Sequence, residues 1–169
     1  MASRSTAFPS LRRKQREFDP VERAENVIAA LKQTGLAVVH GGSQAYYALA
    51  LDEVRLPPKN SFNTLYDYYA VAMHEGAHSS LHVKRLNRTE ALSKKWGYEA
   101  YAVEELRAEI CSAILASDTG VPMTQAHIDN HAAYLKHWLK AVEDDPMAIF
   151  SAAKDAEHMA QYMLGLEKQ

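Results

Sequence analysis

Two histidines four residues apart, with a glutamate directly after the first, sit inside a largely apolar run, Tyr69-Ala70-Val71-Ala72-Met73-His74-Glu75-Gly76-Ala77-His78. The spacing carries meaning only on a helix, where positions i and i+4 lie on one face about a turn apart and two imidazoles can reach one cation. Glu75 projects beside such an ion rather than at it, where it can hold a water and accept its proton. The pattern therefore predicts a helix over 62–81 and a bound Zn²⁺, with Mn²⁺ or another divalent ion as alternatives.

A third protein ligand is required. His82 continues the series, but eight residues advance a helix about 12 Å and turn it about 80°. One ion with bonds of about 2 Å cannot reach both ends. His82 is expected at the helix end or in the cleft wall. A second helix is predicted over 99–116, with Val103, Leu106, Ile110, Ala113 and Ile114 as its core face. Glu105 and Glu109 lie one turn apart on the border of that face, and Glu104 is expected to point further away. One of the pair is the candidate ligand. The other would accept the free N–H of a ligating imidazole. Periodicity leaves open which is which.

Ahead of the motif, Ala24, Val27, Ile28 and Leu31 recur at helical spacing, predicting a helix over 21–33 that Asp19 and Pro20 would start and Gly35 would end. Runs at 36–40, 45–49 and 52–56 are β-prone. The Gly41-Gly42 turn and the Pro57-Pro58 stop predict a small antiparallel meander whose last strand lies at an edge. Further helices are predicted over 124–142 and 147–164, the last stopped by Gly165. The stripe Ile128, His131, Tyr134, Leu135, Trp138, Leu139 and Val142 reads as core, with no chemistry assigned to His131 or Trp138. The fold class is α+β: a small sheet followed by a mostly helical bundle that carries the motif helix. One domain over 21–169 stands behind a flexible basic tail, 1–20.

Charge narrows the partners. With 19 Lys plus Arg against 21 Asp plus Glu, the net charge is −2, unlike a protein built chiefly to grip nucleic-acid phosphates. The single cysteine, Cys111, cannot pair internally; it is expected to be a small buried residue rather than a nucleophile, and it fits the reducing, cytoplasmic setting expected for the chain. No apolar stretch approaches the ~20 residues of a membrane span. The cluster Lys84, Arg85, Arg88, Lys94 and Lys95 is the feature that would serve DNA or a partner protein.

From Ala24 to Leu164 the chain resembles the zincin-like metallopeptidase domain of ArdC-type antirestriction proteins and related polyvalent plasmid and phage proteins. The resemblance rests on His40-Gly41-Gly42, Ala45-Tyr46-Tyr47, Leu56-Pro57-Pro58, Tyr68-Tyr69, His74-Glu75-Gly76-Ala77-His78 and His82. It continues through Arg85-Leu86-Asn87-Arg88, Tyr101 to Glu109, and His131 to Lys140. It implies a zincin fold, metal ligation by His74, His78 and a downstream glutamate, Glu75 as catalytic base, and an origin on a mobile element. The E-x-x-x-E order resembles the E-x-x-x-D of gluzincins, which favours Glu105 as ligand and Glu109 as its supporting acceptor. In that family a single-stranded-DNA-binding domain precedes this one, whereas only residues 1–20 stand there here, which puts DNA binding and antirestriction in question. Where the family has an aromatic after the second histidine, this chain has Ser79.

The expected activity is hydrolysis of a protein or peptide laid along the edge strand 53–56. Tyr98 or Tyr101 is the candidate oxyanion donor, Tyr101 the preferred one. The alternative is a non-catalytic, metal-stabilised module that masks a host protein or DNA.

Overall fold

The computed structural model describes residues 21–89 and 98–168. The expected tail 1–20, with its Asp19-Pro20 helix start, and the basic residues Lys94 and Lys95 lie outside the described residues. The elements run α1 (Glu22–Gln33), β1 (Ala37–His40), β2 (Tyr46–Ala48), β3 (Glu53–Leu56), a 3-10 turn (Lys59–Ser61), α2 (Leu65–Ser79), α3 (Tyr98–Thr119), α4 (Gln125–Ala141) and α5 (Ala148–Glu167).

Thr64 and Asp67 decide where the motif helix begins. The Asp67 backbone N–H donates to Thr64 Oγ1 at 3.1 Å, and the Thr64 N–H donates to Asp67 Oδ2 at 3.0 Å. This reciprocal cap satisfies two orphan donors, so α2 starts three residues later than periodicity alone predicts. At the other end the Ser79 and Ser80 hydroxyls donate back to the Gly76 and Ala77 carbonyls. The chain then leaves the helix before His82.

Three tyrosines in the first turns of α2 fasten it in three directions. Tyr69 donates to Glu25 Oε1 on α1 at 2.6 Å, the Tyr68 hydroxyl meets His40 Nε2 of β1 at 3.0 Å, and Tyr66 donates to His131 of α4. All three rings are buried. An aromatic body with a polar tip suits this task, because each buries a large apolar area while its hydroxyl finds a partner. On the opposite side Gly76 lets α1 and α5 come close. A Cβ there would stand 3.1 Å from Leu31 Cδ1 and 3.3 Å from Met163 Cε.

α3 is the spine, packing against α2, α4 and α5. Its 22 residues are buried on most sides, with Leu106, Cys111 and Leu115 fully enclosed. Burial pushes the Cys111 thiol up to about 12, which keeps it a packing residue as expected. α5 continues through Gly165 to Glu167 because Leu164 and Leu166 pack on the core. That contact outweighs the ~1 kcal/mol a helical glycine costs.

The sheet corrects the predicted meander. Its order is β1-β3-β2, with β1 parallel to β3 (Ala37 opposite Glu53) and β2 antiparallel to it (Tyr47 opposite Val54). β3 is thus the central strand. Pro57 and Pro58 follow its last residue and remove no ladder bond, so they are no sign of an edge. Both flanks of β3 are already paired, so 53–56 offers no free edge to a peptide. β2 is the exposed edge on the α2 side. The α+β class and the helical bundle stand as expected.

Candidate metal centre

His74 and His78 project from one face of α2 toward α3, where Glu104, Glu105 and Glu109 approach them. The two Nε2 atoms lie 3.2 Å apart. Glu105 Oε2 is 3.4 Å from His74 Nε2, and Glu105 Oε1 is 3.4 Å from His78 Nε2. A tetrahedral ion with bonds of about 2.0–2.1 Å would hold neighbouring donors roughly 3.3 Å apart. The three donors therefore already stand at the spacing a divalent cation requires. Among the described residues this trio is the one His/Cys/Asp/Glu group with donor atoms all within 4.8 Å.

Each imidazole is held from behind. His74 Nδ1 lies 3.2 Å from Glu109 Oε2, and His78 Nδ1 lies 3.3 Å from Glu104 Oε1. A carboxylate can only accept, so both rings carry a proton on Nδ1, which leaves Nε2 as the nitrogen that could face an ion. Behind Glu109 the chain continues: His131 Nδ1 donates to Glu109, and Tyr66 donates to His131 Nε2. Burial, with Glu109 nearby, pushes the Tyr66 hydroxyl up to about 12, so it stays a donor. Behind Glu104, Arg88 donates through both terminal nitrogens at 3.0 and 2.8 Å, and Arg107 Nη1 lies 3.5 Å away.

Glu104 and His131 are the residues sequence reasoning missed. Glu104 does not point away; it is 4% exposed and faces His78. A count of donors could have found it, because two ligating imidazoles expose two N–H groups, and one helix offers three acids for one ligand and two acceptors. His131 gave no such signal inside an apolar stripe. α4 is more a cleft wall than a core helix, with Ile128 and Tyr134 largely exposed.

Electrostatics follow from this crowding. Burial alone would lower the His74 pKa, but Glu105 and Glu109 overcome it and raise it to about 10; His78 rises for the same reason, through Glu104 and Glu105. Burial works against the charge of Glu104, yet His78 and Arg88 bring its pKa to about 2. Glu109 likewise reaches about 2 against burial, through His131 and His74. Glu105 is held far below the carboxylate range despite burial, by the same two imidazoles. Glu75 goes the other way: burial raises its pKa, and the flanking histidines only partly offset this. A carboxylate shifted upward is a better proton acceptor near neutral pH.

His82 lies beyond α2, with Nδ1 3.7 Å from Asp52 Oδ2, as a helix-end residue. Tyr101 lines the cavity above Glu105 and its hydroxyl pKa is raised, by burial and then by Glu105. Tyr98 sits further out, its ring 6.3 Å from Trp138. Two members of the expected basic cluster turn inward. Arg85 is fully buried against Asp52, and Arg88 is spent on Glu104. Of that cluster's described members, Lys84 keeps an exposed ammonium.

Two cavities of about 330 and 350 Å³ share Ala45, His74, Glu75 and Glu105 in their walls, so the candidate metal centre lies between them. A family profile described as zincin-like metallopeptidase matches residues 22–155. The chain belongs to this zincin-like metallopeptidase family. It is 40% identical over 169 residues to the DNA primase TraC of Escherichia coli, covering 99% of this chain and 15% of TraC. It is 41% identical over 147 residues to the uncharacterized protein y4eC of Sinorhizobium fredii, covering 87% of this chain and 46% of that one. Crystal structures of the antirestriction protein ArdC from plasmid R388, metal-free and Mn(II)-bound, match the zincin-like chain with a TM-score of 0.68 at 32% identity. They cover 90% and 89% of it and 52% and 53% of ArdC. The zincin-like chain thus spans between 15% and 53% of the length of these relatives. Among the described residues no helix is long and apolar enough to cross a membrane.

Proposed function

We propose that the chain is a zinc-dependent metallopeptidase, with residues 21–169 as one catalytic unit. His74, His78 and Glu105 are the metal ligands, and Glu75 is the general base. The observation that carries this reading is the set of three donors spaced 3.2–3.4 Å apart, bordering two open cavities. A divalent ion held there supplies a water of lowered pKa and polarises a carbonyl. Mn²⁺, present in the ArdC structure, is the alternative to Zn²⁺.

Glu75 takes a proton from the attacking water and delivers it to the leaving amine. Its raised pKa suits both halves of that transfer. Tyr101, kept protonated beside Glu105, donates to the oxyanion. Glu109 and Glu104 hold the two imidazoles in the tautomer that leaves Nε2 free. The peptide backbone lies along the outer strand β2, whose Tyr46 and Tyr47 line the larger cavity. Burial of Arg85 and Arg88 takes two cations from the surface on which a DNA-masking module would rest.

The test is hydrolysis of a quenched peptide library by the metal-loaded chain, by the chelated chain and by Glu75→Gln. Cleavage by the first alone, with Glu75→Gln still binding metal, is the expected result. Equal signals in all three would overturn the reading.

A further inference from the structure

We propose that the 330 Å³ cavity is a recognition pocket for one bulky, uncharged side chain of the substrate, and that Ala70 sets the size it admits. This rests on the peptidase reading for its occupant, though not for its test.

The two halves of the cleft differ in kind. The larger cavity runs along β2, with Tyr46 and Tyr47 in its wall, and so meets the substrate backbone. The smaller one includes no residue of β2. It is enclosed by the first turns of α2 and by one face of α4, whose His127, Asn130, His131 and Tyr134 recur at helical spacing. With no backbone edge to pair with, it is a place for a side chain.

Its chemistry selects an uncharged one. No lysine or arginine lines it, so an acidic side chain would enter without a counter-charge. Its acids are already engaged. Asp67 accepts the Thr64 N–H at 3.0 Å and lies 3.6 Å from His127 Nε2. Glu109 serves His74 and His131, and Glu105 faces both Nε2 atoms. Its remaining acid, Glu75, accepts a backbone N–H of Tyr47 and is the proposed general base, so a basic side chain would likewise find no acid left over. Burying an unpaired charge is costly, whereas the walls of Ala45, Ala70, Val71, Tyr66 and Tyr134 welcome apolar or aromatic groups.

The pocket is preformed. Tyr66 stacks on His127 with ring centroids 4.1 Å apart and planes 12° from parallel. His127 is itself fixed on both nitrogens: Nδ1 accepts the Thr124 N–H at 3.1 Å, and Nε2 meets Thr64 Oγ1 at 3.4 Å. This clasp joins the starts of α2 and α4. Ala70 stands one turn before His74 on the same face of α2. A methyl group there leaves the space beside the metal open, and a large side chain would fill it.

The experiment uses the metal-loaded full chain and two peptide hydroxamates that differ only in one side arm, benzyl against methyl. Affinities are measured by calorimetry. Wild type is expected to favour the benzyl compound about tenfold or more. Ala70→Phe is expected to lose that advantage while binding the metal and the methyl compound as wild type does. Should Ala70→Phe misfold, Ala70→Val is expected to reduce the same advantage. Equal affinity for both arms, preference for an aminoalkyl arm, or an advantage untouched at position 70 overturns the pocket. Hydroxamate discrimination without any peptide hydrolysis leaves the pocket standing and removes the peptidase reading. Hydrolysis with no side-chain preference does the reverse.

Discussion

At the scale of single residues, the candidate centre is ordered because each imidazole Nδ1–H has an acceptor. Glu104 and Glu109 stand behind His78 and His74, and each is itself held, by Arg88 and by the His131–Tyr66 pair. Removing a supporting partner of a metal-ligating histidine typically costs about 10–100-fold in affinity. Glu104→Gln and Arg88→Met are therefore expected to weaken metal binding by roughly that range, read by competition with a calibrated chelator. His131→Phe is expected to act in the same direction through Glu109. Tyr66→Phe should do less, since it removes only the outermost bond of its chain. Variants that bind metal like wild type would reduce these residues to packing.

Between elements, the decisive contact away from the metal is Arg85 against Asp52. Asp52 sits at the β2–β3 turn with φ +50°, a conformation that Asp and Asn tolerate. The Arg85 side chain is 0% exposed; its Nε donates to the Ser79 carbonyl at 2.7 Å and its Nη1 to Thr34 Oγ1 at 3.0 Å. One side chain thus ties the end of α2, the end of α1 and the sheet together. Asp52→Asn keeps the turn but strands a buried guanidinium. A loss of about 3–5 kcal/mol in urea unfolding is expected, as for other broken buried pairs. The pH dependence has a definite sign. Burial raises the Asp52 pKa, but Arg85 outweighs it and the net shift is downward from the ordinary 3.8. Its contribution is present above pH 3.8 and disappears as pH falls through the lower folded value. Acid unfolding of Asp52→Asn is expected to be less steep in that window. An unchanged acid profile would exclude Asp52 as its source.

For the molecule as a whole, the candidate metal centre joins α2 to α3, so an ion bound there would stabilise only the folded chain. At a free concentration near 100 times its dissociation constant, a ligand adds about 2.7 kcal/mol. At roughly 2–4 °C per kcal/mol for a chain of this size, the midpoint of thermal unfolding is expected to rise by about 5–10 °C. Glu105→Gln should shift much less under the same addition. Equal shifts in the two proteins would remove Glu105 from the site. The covered fraction of the relatives, 15% of TraC and 52% of metal-free ArdC, marks this unit as a part that longer chains also carry.

The sequence by itself determined what is local. The i, i+4 histidines, the acids one turn apart on α3, the helix order and the β-prone runs are all written in spacings of a few residues, where backbone geometry alone decides which side chains share a face. Tertiary structure decided what depends on distant partners. Arg88 meets Glu104 across 16 residues, and His131 meets Glu109 across 22. No periodicity encodes such pairings, because they exist only once α2, α3 and α4 are packed. The same holds for β3, whose central place follows from β1 and β2 both pairing with it. It holds as well for Arg85 and Arg88, which as a string of letters read as a surface patch. Packing turned them inward because buried carboxylates stood within reach.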